Sequence, residues 1–308
     1  MPDRNQIEIV SHTTMQHLEV FLVQMTERSP HGHDDLEIGL LLEGTLTLFL
    51  DQTQHTLQTG DIYLINRYQV HSFGHSESRN LILAFQIHTD LYRGISYPMT
   101  FLRFDQVVLR EGALHAQLRD LLLSCARTYF GSSRFRELEC TSLLLHTLFL
   151  LTESVPCTVS SEREYRMKQD NTWRINRITE YIAEHYRERI SLEDIAEREH
   201  ITACHASHFI RKTFGISFRA YVGTMRLEHA LRLLLQTDLS LLDICMESGF
   251  SSTRYLNRMI EETFGCSARE FRALPRDPIA KENAIPLADI QQRYTYEQSA
   301  AYFRKQQQ

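Results

Sequence analysis

Residues 191–222, SLEDIAEREHITACHASHFIRKTFGISFRAYV, are followed by a second copy of the same pattern, SLLDICMESGF (240–250) and STRYLNRMIEETFGCSAREFR (252–272). The copies share Ser, Leu, Asp and Ile at matched positions, and both contain Thr-Phe-Gly. A repeat of this length indicates one supersecondary unit used twice. Each copy predicts a short helix, a turn and a longer helix, with Ser191 and Ser240 as N-caps and Gly215 and Gly265 at the C-terminal ends.

The apolar residues of each copy recur at helical spacing and predict one buried stripe per unit. The first stripe is Leu192, Ile195, Ala196, Ile201, Ala206, Phe209, Ile210 and Phe214, and the second is Leu241, Ile244, Cys245, Phe250, Leu256, Met259, Ile260 and Phe264. The residues left on the outer face of each longer helix are polar and partly cationic. A helix-turn-helix presents its second helix to the DNA major groove in this way.

In the N-terminal part of the chain, the apolar residues do not recur at helical spacing. From Ile7 to Ile87, short alternating or apolar runs separated by turn formers predict an antiparallel β sandwich or barrel. Residues 113–151 return to helical spacing and predict two antiparallel helices joined near Gly131, which either form a dimer face or cover the barrel. Residues 153–171 lose periodicity and predict a linker, and the C-terminal residues YTYEQSAAYFRKQQQ predict a short amphipathic helix or a disordered end.

Composition narrows the class of protein. A chain of 308 residues with 43% hydrophobic residues can bury two cores. The formal charge of −6 places any nucleic-acid contact in a local patch. Six cysteines without a C-x-x-C pair, and an N-terminus without a signal-peptide pattern, predict a reduced cytoplasmic protein, and no run is long enough for a membrane span.

The repeated units resemble the AraC/XylS family of transcription regulators over roughly residues 172–273. This resemblance implies two helix-turn-helix units joined by a long helix at about 217–236, which together read double-stranded DNA. It implies base readout by Cys204, Ser207, His208, Thr253, Arg254, Asn257 and Arg258, and phosphate contacts by Arg211, Lys212 and Arg219. The chain departs from the family at His205, Ala206 and Ile210, and at Glu261 and Glu262, where lysines are common.

A second motif lies in the β half. HGHDDLEIGLLLEG (31–44) has the spacing His-x-His-x3-Glu-x6-Gly, and residues 60–71 resemble the second cupin motif, with Asn66 and Tyr68 replacing its Pro and Gly. Four side chains therefore occupy the positions that hold a metal in catalytic cupins: His31, His33, Glu37 and His71. Three interpretations stay open, namely a metal site, a pocket for a small ligand without metal, and satisfied polar residues at the barrel mouth.

The resemblance implies a ligand-responsive regulator of carbohydrate uptake or utilisation genes, with a sugar as the small-molecule effector, no cofactor, no enzyme activity and a homodimer. The alternative is a metal-dependent cupin enzyme or a metal sensor that uses the same four side chains. We predict an all-β cupin domain of the jelly-roll type with a helical segment, followed by an all-α domain. The predicted boundaries are a sensor at 1–110, a helical dimerisation segment at 111–152, a linker at 153–171, a double helix-turn-helix at 172–274 and a tail at 275–308.

Overall fold

The computed structural model describes residue 15 and residues 17–51, 53–74, 79–273 and 290–305. These residues form two compact units. The first unit consists of the residues up to Met25, His31–Trp173 and the residues from Gln291 onward. The second unit consists of Thr26–Pro30 and Arg174–Ile290. The predicted β residues before Met15 and the tail residues 275–289 lie outside the described residues.

The first unit is built on antiparallel strands. They are β1 (Leu18–His31), β2 (Leu36–Glu43), β3 (Thr45–Leu50), β4 (Thr53–Gln58), β5 (Ile62–Ile65), β6 (His71–Gly74), β7 (Leu81–Ile87), β8 (Leu102–Phe104) and β9 (Val108–Leu109). The main sheet has the order β4-β3-β6-β1-β7-β2-β5-β9. A short helix, α1 (Asp90–Arg93), and a 3₁₀ turn (Tyr97–Phe101) follow β7. The predicted β-rich cupin class is confirmed.

Alternation along the strands gives the sheet two apolar faces, because successive side chains of a strand point to opposite sides. On β2, Ile38 and Leu40 join an outer cluster that includes the helices below, whereas Leu41 joins an inner cluster with Tyr63 and Leu48. The same period directs Glu37 to the inner side. The inner face therefore carries both the core of the β domain and the polar side chains of the predicted pocket.

Two helices cover the outer face of the sheet. They are α2 (Ala113–Tyr129) and α3 (Arg136–Ser154), and Leu122, Leu144 and Leu148 are almost fully buried in the outer cluster. The opposite side of α3 leaves Leu138 70% and Phe149 58% exposed. The helices therefore cover the sheet, which was one of the two predictions for residues 113–151. The side of α3 that faces away from the sheet has exposed apolar side chains.

Residues 153–171, predicted as a linker, contain ordered structure. Cys157–Val159 forms β10 and pairs with β8, and the long helix α4 (Glu162–His185) begins directly after it. A capping box starts this helix, since Ser161 Oγ accepts from Glu164 N at 3.3 Å and Glu164 Oε2 accepts from Ser161 N at 2.9 Å. The linker prediction is therefore wrong for residues 157–159 and 162–171, which form β10 and the first part of α4.

The second unit consists of the C-terminal half of α4 and six further helices among the described residues. They are α5 (Leu192–Arg198), α6 (Ala203–Phe214), α7 (Phe218–Gln236), α8 (Leu241–Glu247), α9 (Thr253–Phe264) and α10 (Ala268–Ala273). Ser191 and Ser240 cap α5 and α8, and Gly215 and Gly265 end α6 and α9 with φ of 73° and 69°. The predicted pair of helix-turn-helix units and the long connecting helix are confirmed.

The tail adds structure to the first unit. Ile290–Arg293 forms β11, which pairs with β1, and Tyr296–Lys305 forms α11, the predicted amphipathic helix. Phe303 is 3% exposed and its ring stacks on Phe130 at 5.6 Å between centroids. Arg136 donates to Tyr296 Oη at 2.8 Å. The segment is therefore part of the packed core that surrounds α2 and α3. No helix among the described residues is long and apolar enough to cross a membrane.

Candidate functional site

The outer faces of α6 and α9 carry the residues predicted to read DNA. Ala206, Ile210, Leu256 and Ile260 are buried, which turns the intervening positions outward. On α6, Cys204, Ser207, His208, Arg211 and Lys212 are exposed, and on α9 Arg254 and Arg258 are exposed while Thr253 and Asn257 are half-buried. Each helix therefore presents a polar ridge over an apolar base, with its first amides near Thr202 and Ser252, whose hydroxyls accept from His205 N and Tyr255 N at 3.2 Å.

Around α9 the polar residues line one open concavity of about 820 Å³. Arg219, at the start of α7, shares it with the base-reading candidates of the second unit. The lining residues are Arg219, Ser251, Ser252, Thr253, Arg254, Tyr255, Asn257, Arg258 and Glu261. Two predicted roles, phosphate contact and base readout, are thus brought together on one surface.

Two of these candidates have local partners. Asn257 Oδ1 accepts from Ala268 N at 3.4 Å, which directs the amide toward the start of α10. The Arg258 guanidinium lies 5.0 Å from the Tyr255 ring centroid, and its Nε is 3.8 Å from Glu262 Oε1. An exposed ion pair of this kind contributes little to stability.

On the inner face of the β domain, the four residues of the His/Glu motif come together. His31, His33, Glu37 and His71 are 8%, 1%, 4% and 1% exposed. The His71 ring lies 4.0 Å from His31 and 5.1 Å from His33 between centroids, and His31 lies 6.4 Å from His33. The structure thus brings the four residues together, with His31 on β1, His33 between β1 and β2, Glu37 on β2 and His71 on β6.

Glu37 is held by neighbouring strands. Its Oε1 accepts from Tyr63 Oη at 3.1 Å and its Oε2 accepts from Gln86 Nε2 at 3.2 Å. Gly39 makes room for Tyr63, since a Cβ at residue 39 would lie 1.9 Å from Tyr63 Cζ. Sequence reasoning missed both Gln86 and Tyr63 as hydrogen-bond partners of Glu37. Glu37 pairs with Gln86 across β2 and β7, a register that a single sequence does not reveal.

Backbone carbonyls orient two of the imidazoles. His33 Nδ1 lies 3.0 Å from Asp35 O, and His71 Nδ1 lies 3.0 Å from Gln69 O. A carbonyl oxygen accepts only, so Nδ1 carries a proton in both rings, and His33 Nε2 lies 3.2 Å from Glu37 Oε2. Burial, followed by the nearby His31 and His33, holds the pKa of His71 well below its ordinary range, and the ring is therefore neutral at neutral pH.

The loop between β5 and β6 departs from the cupin motif at Asn66 and Tyr68, and both residues make hydrogen bonds to other segments of the chain. Asn66 exchanges hydrogen bonds with the backbone of Phe104 at 2.8 and 3.0 Å. Tyr68 has φ of 55°, the left-handed region in which the motif has Gly. Tyr68 N donates to His33 O at 2.8 Å, and Tyr68 O accepts from Thr172 Oγ1 of α4, also at 2.8 Å.

The N-terminal half of α4 packs on both segments that carry the pocket histidines. Gln169 Nε2 donates to Tyr68 Oη at 3.0 Å, and a Cβ on Gly32 would lie 2.6 Å from Thr172 Cγ2. The Trp173 ring lies 5.8 Å from the Tyr68 ring between centroids. Residues 162–173 of α4 therefore belong to the first unit and pack on the loops that carry His33 and His71.

A β domain with a buried His/Glu cluster, followed by two helix-turn-helix units, is typical of transcription regulators that have a ligand-binding and a DNA-binding domain. Family models agree with this class, since an AraC-like ligand binding domain matches residues 23–148 and a helix-turn-helix domain matches residues 195–274. The chain belongs to the AraC family of transcription regulators.

Similar proteins carry matching names. An uncharacterized HTH-type transcriptional regulator of Staphylococcus aureus (strain COL) is 24% identical over 78% of this chain and 31% of that protein. The chain thus spans less than a third of the length of that relative. The HTH-type transcriptional regulator ExsA of Pseudomonas aeruginosa is 28% identical over 38% of this chain and 42% of its own. The structure of fatty-acid-bound ToxT from Vibrio cholerae aligns with 12% identity and a TM-score of 0.37, covering 86% of this chain and 98% of that one.

Proposed function

We propose that this protein is a ligand-responsive, sequence-specific regulator of transcription. A small molecule binds in the β domain and changes how the helix-turn-helix units engage double-stranded DNA. The observation that carries the proposal is the repeated exposed polar ridge on α6 and α9, each over a buried apolar base, in a chain that also contains an AraC-like ligand-binding domain.

Recovery of bound genomic fragments by the purified full-length chain tests DNA reading. The expected result is a small set of fragments that share a motif with two conserved blocks, because two recognition helices read two major-groove segments. Fragments without a shared motif would contradict sequence-specific binding. The genes beside the recovered sites then indicate the regulated process, for which the family resemblance favours carbohydrate uptake or utilisation.

A sugar is the effector class that the resemblance favours, and the polar side chains of the pocket suit hydroxyl groups. A panel of mono- and disaccharides tests this with the purified chain and its recovered DNA site. A sugar effector is expected to change the affinity for DNA by about 5- to 150-fold, the usual range of coupling between two sites. An unchanged DNA affinity across the panel would remove sugars as effectors and leave DNA reading intact.

We further propose that α4 carries the signal, since it contacts both pocket loops and continues into the DNA-reading unit. Thr172→Val removes the hydroxyl that donates to Tyr68 O and keeps the shape of the side chain. The effector found in the panel is expected to change the DNA affinity of this variant less than that of the wild type. The corresponding loss of coupling free energy is about 0.5–2 kcal/mol.

Thr179→Val on the same helix is the matched control for Thr172→Val. The Thr179 hydroxyl donates to Ile175 O at 3.0 Å and to Asn176 O at 2.8 Å, both within α4. Coupling that falls equally in both variants would mean that only the rigidity of the helix matters, and it would contradict signalling through Tyr68.

Arg211→Ala and Lys212→Ala on α6 are expected to weaken binding to all DNA sequences alike. Each side chain is exposed at the end of the first recognition helix and is proposed to contact phosphate. Titrations at several salt concentrations should show the slope of log affinity against log salt reduced by about 1 for each variant. Arg232→Ala on α7, also exposed, is the control. A changed base preference with an unaltered salt slope would assign these residues to base readout instead.

Homodimer formation is part of the proposal. The exposed Leu138 and Phe149 of α3 support it, because apolar side chains of this size are common at dimer interfaces. Leu138→Glu with Phe149→Glu should convert a dimer to a monomer in sedimentation experiments. A wild-type chain that sediments as a monomer at micromolar concentration would contradict the dimer.

A further inference from the structure

Glu261 lies on the same side of α9 as the residues proposed to read bases. It lines the open concavity that also contains Arg254 and Arg258. A helix turns by about 100° per residue, so Glu261 lies about 20° from Arg254 and about 60° from Arg258 around the axis of α9. Leu256 and Ile260 are buried on the other side of the helix. An acidic side chain therefore lies near the centre of the surface that is proposed to face the major groove.

The two acidic residues of this turn have different surroundings. Both are exposed. Glu262 Oε1 lies 3.8 Å from Arg258 Nε, and Glu262 does not line the concavity. Among the described residues, the Glu261 side chain has neither a hydrogen-bond partner nor an ion-pair partner. The Glu261 carboxylate is therefore available to a ligand that enters the concavity.

The first helix-turn-helix unit shows that the charge at this position is reversed. Helices α6 and α9 have 12 residues each, and an alignment of their first residues places Arg211 opposite Glu261. Arg211 is proposed to contact phosphate, whereas a carboxylate is repelled by the negatively charged DNA backbone. In the second unit, this position can gain binding energy from DNA only through a hydrogen-bond donor on a base edge.

The four bases offer different groups to a carboxylate, which accepts hydrogen bonds and does not donate when ionised. In the major groove, cytosine presents the N4 amino donor, guanine presents the acceptors N7 and O6, and thymine presents the acceptor O4 and a methyl group. Adenine presents its N6 donor beside the acceptor N7, which repels the second oxygen of a carboxylate. Cytosine is therefore the base that suits Glu261.

We propose that Glu261 determines base specificity by accepting a hydrogen bond from the N4 amino group of a cytosine. This cytosine belongs to a base pair that neither Arg254 nor Arg258 reads. The role requires that α9 lies in the major groove, and it therefore rests on the proposed function. We expect a preference of at least about 5-fold for cytosine over the other three bases at one position, the lower end of the usual cost of a mismatch.

Glu261→Ala and Glu261→Gln test this role with two different expected results. The full-length variants are titrated with the recovered site, in which each base pair of the block weakened by Arg254→Ala or Arg258→Ala is replaced in turn by the other three. Glu261→Ala should lose the preference for cytosine at one position and keep the rest of the profile. Glu261→Gln should prefer adenine at that position, because a glutamine amide binds adenine N6 and N7 bidentately.

Glu262→Gln is the matched control on the same turn of α9. It removes the same charge as Glu261→Gln, so both variants should bind unrelated DNA more tightly by a similar factor. The preferred base should change in Glu261→Gln and stay cytosine in Glu262→Gln. Both side chains are exposed, so these substitutions leave the buried residues of α9 in place.

The possible outcomes separate this role from the proposed function. A change from cytosine to adenine in Glu261→Gln, absent from Glu262→Gln, would support both. A shared motif with identical base profiles for the wild type, Glu261→Ala and Glu261→Gln would overturn the role of Glu261 and leave the regulator standing. A uniform gain of affinity without a changed base preference would overturn it as well, since Glu261 would then lie beside phosphate. Recovered fragments without a shared motif would contradict the proposed function and the role of Glu261 together.

Discussion

Replacing both Arg254 and Arg258 with alanine is expected to remove most of the preference of the protein for its DNA site. Both guanidinium groups are exposed on α9, one helical turn apart, in the concavity that also contains Arg219. Each is proposed to contact a different base pair, and an arginine bound to a guanine edge is worth about 1–3 kcal/mol of discrimination. The double variant should therefore lose about 2–6 kcal/mol of specific binding if the two contacts are independent.

Competition titrations of the recovered site against unrelated DNA measure this loss. Arg254→Ala and Arg258→Ala alone should each relax the preference at one base pair, and Arg232→Ala on α7 should change neither affinity nor preference. A double variant that keeps the wild-type ratio of specific to unrelated binding would remove α9 from base readout. That result would also contradict the predicted base contacts of Thr253 and Asn257, which lie on the same helix.

Phe303→Ala is expected to lower the free energy of unfolding of the β domain by about 3–5 kcal/mol, the usual cost of truncating a buried phenylalanine. Phe303 is 3% exposed and its ring stacks on Phe130 at the end of α2. The loss of this contact should loosen α11 together with the Arg136 and Tyr296 pair. The tail would thus contribute to the stability of the sensor from the far end of the chain.

Urea unfolding of the full-length chain, followed by tryptophan fluorescence, isolates this effect. The sequence contains one tryptophan, and Trp173 lies beside Tyr68 at the pocket loop, so its emission reports on the first unit. Arg304→Ala, at the exposed next position, is the matched control. Equal unfolding midpoints for Phe303→Ala and Arg304→Ala would mean that α11 contributes little to the domain.

Local sequence patterns predicted the DNA-reading unit well, since its helices depend on short-range signals. Ser191, Ser240, Gly215 and Gly265 mark helix ends that the structure confirms, and the residues of the apolar stripes are buried or half-buried in the two helical cores. The His/Glu motif also predicted a real cluster, because alternation along β2 directs Glu37 inward.

Contacts between distant parts of the chain could not be predicted from one sequence. The pairing of β11 with β1 joins the two ends of the chain, and no local pattern encodes it. The support of Glu37 by Gln86 depends on the register of β2 and β7. The start of α4, by contrast, has a local signal in the sequence, namely the capping box of Ser161 and Glu164. This signal was overlooked because few apolar residues follow it at helical spacing.

The central claim is that two recognition helices on one chain read DNA sequence. A base-by-base affinity profile of the recovered site, measured with the purified full-length chain, tests it most directly. The account predicts two blocks of sensitive base pairs centred about 10 base pairs apart on one face of the duplex. Substitutions of Ser207 or His208 should weaken one block, and those of Arg254 or Arg258 the other. A single block, or a profile that is flat across the site, would contradict it.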